Sequence, residues 1–78
     1  MTREEALAGL AGELDHLAGA LTEAAMDLLR QAVISKGDQA RLEATRQEKL
    51  LNRARASVEK AARLTRQAAG EEPSNEGW

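Results

Sequence analysis

Between residues 7 and 32 this chain repeats every seven residues. Leu7, Leu14, Leu21 and Leu28 form one row, and Leu10 and Leu17 stand beside it. Ala11, Ala18, Ala25 and Ala32 form a second row at the same period. A repeat of 3.5 residues gathers such side chains into one ridge along an α-helix, and the ridge requires a helical partner to cover it. Small residues beside the ridge let that partner's backbone come close. The pattern predicts an all-α fold: an antiparallel two-helix hairpin, coiled-coil-like, that completes a bundle with a partner or a second copy.

The composition agrees with helix. A β core needs β-branched and aromatic residues, and this chain has one Trp, no Phe and no Tyr, while 31% of its residues are charged. Cysteine is absent, which excludes disulfides, zinc–thiolate sites and thiol chemistry. The opening MTREEALAG has neither the basic nor the apolar region of a secretory signal. No apolar stretch approaches the roughly 20 residues that span a bilayer. These features predict a cytoplasmic location without membrane insertion.

Thr2 and Glu5 have the spacing of a capping box, so helix one is expected over about residues 2–35. Ser35-Lys36-Gly37-Asp38 reads as a turn over 35–38, with Gly37 closing the first helix and Asp38 capping the second. Helix two is expected over about 38–69, ended by Gly70 and Pro73. A linker this short folds the two helices back into a hairpin over residues 1–69. Residues 70–78 (GEEPSNEGW) lack periodicity and are expected to be a disordered acidic tail. In helix two, Leu50, Leu51, Ala54, Val58, Ala61, Leu64 and Ala68 follow a 3–4 spacing. The predicted hairpin core is Leu7, Leu10, Leu14, Leu17, Leu21, Leu28, Leu51, Ala54, Val58 and Ala61.

Charge divides along the chain. Residues 1–37 hold three basic and six acidic side chains, residues 38–69 eight basic and four acidic, and the tail three acidic. An acidic helix against a basic one predicts complementarity inside the hairpin.

Two helices bury one stripe each, and a chain of this length has little core without staples. Association is the remaining device. Met26, Leu29 and Val33 form a second line near the turn, and Ile34 and Leu42 lie at the same end. These five are candidate partner-binding residues, because an exposed apolar patch on a small protein marks an interface. Trp78, the one aromatic residue, reads as a mobile terminal residue or as an anchor for a partner's pocket. Gly12 and Gly19 fall opposite the leucine row, where they read as tolerated glycines or as points of close approach.

Nothing in the sequence assembles a reaction site. His16 is the single histidine, with no second nitrogen or sulfur ligand, so no metal, cofactor or small-molecule substrate is expected. Two helices offer no concave site, and an enzyme is not expected. Arg46, Lys49, Arg53, Lys60, Arg63 and Arg66 make helix two basic. Phosphates suit such a face, but Glu48 and Glu59 interrupt it and no aromatic interleaves it, which favours a solvated, salt-bridged face. The expected function is a non-catalytic protein-binding module, a small chaperone or adaptor that buries its Leu/Ala face against helical partners. The alternative is a homodimeric four-helix bundle that binds regulatory RNA or DNA through helix two.

The order of parts resembles the small helical-hairpin co-chaperones of type III secretion needle subunits. The likeness covers about residues 1–66: a leucine-rich first helix, the Lys36-Gly37-Asp38 turn, then QARLEATRQEKLL over residues 39–51. It implies heterodimerisation with a repeat-type helical chaperone, the pair masking an aggregation-prone needle subunit. The layout also looks like the plasmid copy-control hairpins that dimerise and bind paired RNA loops, an analogy of fold alone.

Overall fold

The computed structural model describes residues 2–70. Residues 71–78, with the expected acidic tail and Trp78, lie outside the described residues.

Two helices form a hairpin: α1 (Arg3–Ile34) and α2 (Asp38–Ala68). The capping box opens α1: the Glu5 backbone N–H donates to Thr2 Oγ1 at 3.0 Å, and the Thr2 N–H donates to Glu5 Oε1 at 2.9 Å. The last turn of α1 closes on Ser35, whose N–H donates to Gln31 O at 2.9 Å.

The turn differs from its sequence reading by one position. Asp38 is the first helical residue, and Gly37 is the N-cap, without any side-chain hydrogen bond. Gly37 does not close α1 in a left-handed helical conformation. It has φ 156° and ψ 138°, a backbone that glycine adopts without a Cβ penalty. Asp38 in the first turn still favours the positive end of the helix dipole. Arg41 Nη2 donates to Ser35 O at 3.5 Å and links the start of α2 to the end of α1. Gly70, at φ 88°, follows the C-cap Ala69 as expected.

The seam is made of alanine. All six buried residues among those described are alanines: Ala11, Ala18, Ala25, Ala44, Ala62 and Ala69. Among the described residues no large side chain is fully buried. In heptad letters, Ala11, Ala18, Ala25 and Ala32 take position a of α1, and Leu7, Leu14, Leu21 and Leu28 take d, half-buried. In α2 the covered positions step by threes and fours through Ala44, Glu48, Leu51, Arg55, Val58, Ala62, Thr65 and Ala69. Alanine brings the helix axes together and leaves the larger d residues at the edge of the contact.

This geometry corrects part of the predicted core. Leu7, Leu14, Leu21, Leu28, Leu51, Val58 and Ala61 are half-buried at or beside the seam. Leu10 and Leu17 remain 49% and 48% exposed, and Ala54 is also exposed. The physical reason is rotation of each helix about its own axis. The line of closest approach follows the alanines, so the most apolar stripe lies to one side of it. On α2 the line passes through Glu48 and Arg55 instead of Ala54. Polar groups therefore enter the seam: Asn52 donates to Glu48, Arg55 pairs with Glu59 at 3.4 Å, and Arg55 Nε is buried without a hydrogen-bond partner.

Candidate functional site

The two sides of the hairpin differ. In an antiparallel pair, e positions of one helix flank e positions of the other, and g flanks g. Asp15 of α1 and Arg66 of α2 both follow a d residue, which makes both e, and they form an ion pair across the hairpin. That contact identifies the e side. The g side lies on the opposite surface.

On that g side the apolar residues continue, and no element among the described residues covers them. In α1, Leu10 and Leu17 are about half exposed, with Ala6, Ala20 and Ala24 beside them. In α2, Leu50 and Leu64 are 50% and 51% exposed, and Ala54, Ala61 and Ala68 lie between and beyond them. Residues 50, 54, 57, 61, 64 and 68 step by fours and threes, which is a second heptad seam. Full burial of a leucine is worth about 1.5–3 kcal/mol, so each half-exposed leucine here has on the order of 1 kcal/mol still to gain. We call this surface the open face.

The sequence-predicted partner residues near the turn are all exposed, Val33 at 77%, Ile34 at 74% and Leu42 at 67%. They do not share one stripe. Met26, Leu29 and Val33 occupy the b and e positions of α1, and Leu42 the b position of α2, all toward the Asp15–Arg66 side. Ile34 falls at c, toward the open face. Trp78 lies outside the described residues.

The charge asymmetry is also used differently from its sequence reading. Among the described residues one ion pair crosses the hairpin, Asp15–Arg66. The other three, Arg30–Asp27, Arg46–Glu43 and Arg55–Glu59, lie within a single helix. Exposed Arg46, Lys49, Arg53, Lys60 and Arg63 stand three, four or seven residues apart along the outward side of α2. A Cβ built on Gly9, Gly12 or Gly19 meets nothing within 4 Å, so packing inside the hairpin does not require these glycines.

His16 lines a shallow cleft with Asp15, Gly19, Ala20 and Glu23. Among the described residues no three His, Cys, Asp or Glu side chains gather as metal ligands. No helix among them is long and apolar enough to cross a membrane. No family model, curated protein or solved structure matches this chain. The open face is therefore read from its own geometry.

Sequence reasoning counted Leu10 and Leu17 as core and so missed them as surface. The signal was present: a helix with leucines at both d and g has more apolar width than one partner covers.

Proposed function

We propose that this chain is a non-catalytic protein-binding module of the small chaperone or adaptor kind, which covers its open face with partner helices. The observation that carries the reading is the row of half-exposed Leu10, Leu17, Leu50 and Leu64 at heptad spacing on one side. A surface with that period accepts another helix by side-chain interdigitation, and its alanines admit close backbone approach. A type III needle co-chaperone role is one form of this function, with a repeat-type helical chaperone as the partner. The test is purification from the native host with identification of the bound protein. Leu17→Lys with Leu64→Lys is expected to lose that protein while keeping the helical circular dichroism of the wild type. Retention of the same partner by this variant refutes the reading.

A second reading draws on the exposed basic row of α2. Arg46, Lys49, Arg53, Lys60 and Arg63 suit nucleic-acid phosphates, and such binding weakens steeply with salt. A binding titration at low salt that detects no association with RNA or DNA ends it.

A further inference from the structure

We infer that the open face is covered by a second copy of this chain, packed face to face with both turns at the same end, so that α1 of each copy lies antiparallel on α2 of the other. This rests on the protein-binding reading above and names its partner.

Helical phase is the first argument. The seam toward the hairpin partner centres between a and d, and the open stripe centres between c and g. At 3.6 residues per turn these centres lie about 110° apart around each helix. A helix in a four-helix bundle meets two neighbours at roughly that angle. The d and g positions between them then point to the bundle axis. In α1 those positions hold the six leucines from Leu7 to Leu28, with Ala24, Gln31 and, at the open end, Arg3. In α2 they hold mainly smaller residues, among them Ala54, Val58 and Ala61. Large side chains on α1 thus meet small ones on both neighbouring α2 helices, which fills a core in alternation.

Charge selects the orientation. Glu13 and Glu23 border the open face on α1, Arg53 and Lys60 border it on α2, and none of the four has an ion pair among the described residues. A two-fold axis parallel to the helices preserves height along the bundle. Glu23 and Arg53 stand at nearly the same distance from Gly37, as do Glu13 and Lys60. That axis therefore sets each acid beside a base of the other copy, twice over. The other face-to-face arrangement, with turns at opposite ends, lays α1 on α1 and opposes acid to acid.

The area suffices. Two adjacent helices of about 45 Å present a face roughly 18 Å wide, on the order of 800 Å² per copy, the size a stable protein interface uses.

Because the chain has no cysteine, introduced thiols report position without background. Sedimentation equilibrium of the full chain is expected to give about twice the 8.4 kDa chain mass. Mixed Glu23→Cys and Arg53→Cys chains are expected to join through a short bis-maleimide, and Glu23→Cys alone is not. Leu17→Lys is expected to give the single-chain mass with its helicity retained, and Leu64→Lys provides the same readout if the first variant fails to fold. A wild-type single-chain mass overturns the inference, as does an unchanged dimer in both lysine variants or linkage of Glu23→Cys to itself. A monomeric wild type whose native partner is lost in the Leu17→Lys, Leu64→Lys variant leaves the binding module standing and removes only the second copy.

Discussion

The seam and the open face run along the same two helices, yet they are built from different residues. In the seam, alanines at 0–8% exposure bring the backbones together, and an ion pair fastens one edge. On the open face, leucines at about half exposure stand beside alanines with no described residue packed over them. Alanine contributes little burial but sets the distance and rotation of the helices. Leucine contributes most of the apolar area, and here it is directed partly away from the hairpin. The internal pairing therefore defines the geometry of a surface whose main hydrophobic gain is left for another molecule.

This difference makes positions of equal chemistry unequal. Ala62→Leu inserts three carbons where the residue is 1% exposed, and overpacking of this kind costs about 1–3 kcal/mol. Ala54→Leu, on the open face, is expected to leave the stability of the single hairpin within about 0.5 kcal/mol when both variants carry Leu17→Lys, which removes the second copy. Thermal or urea unfolding of both variants checks this, and equal losses erase the distinction between the two surfaces. Thr2→Ala touches neither surface; it removes the capping hydroxyl of α1 and is expected to cost about 1 kcal/mol in the same assay. Gly12→Ala and Gly19→Ala fall on the outward side of α1, where an added methyl meets nothing. Each is expected to raise stability by about 0.5–1 kcal/mol. Stabilisation accompanied by loss of a partner assigns the glycines to a contact. Asp15→Asn has the smallest expected effect, about 0.5 kcal/mol or less, since both side chains keep more than a third of their surface in solvent and salt screens the pair. Its measure is the unfolding midpoint at low and high salt, where the difference from wild type should vanish as salt rises.

Much of the fold was legible before any coordinates. Thr2 and Glu5 announce the start of α1 because the capping box is a local motif, closed within one turn. Gly70 announces the end of α2, and Gly37 the turn between the helices, because positive φ excludes most other residues. The half-buried leucines at d were equally readable. Leu10, Leu17 and Ala54 were misplaced because periodicity locates a stripe and leaves open which edge of it meets the neighbour. The charge pattern was misread for a related reason. A net imbalance between two helices gives no account of where each long side chain ends, and three of the four ion pairs among the described residues lie within a single helix.

Local rules thus determine the two helices, their caps and the antiparallel return, since each depends on neighbours within a few residues and on a linker too short for any other path. Tertiary packing alone decides how far each helix rotates about its axis. That rotation follows from the sum of contacts across the seam, where alanine permits the closest approach and Glu48 and Arg55 must be accommodated. It places alanine inside the hairpin and turns Leu10, Leu17, Leu50 and Leu64 toward the open face.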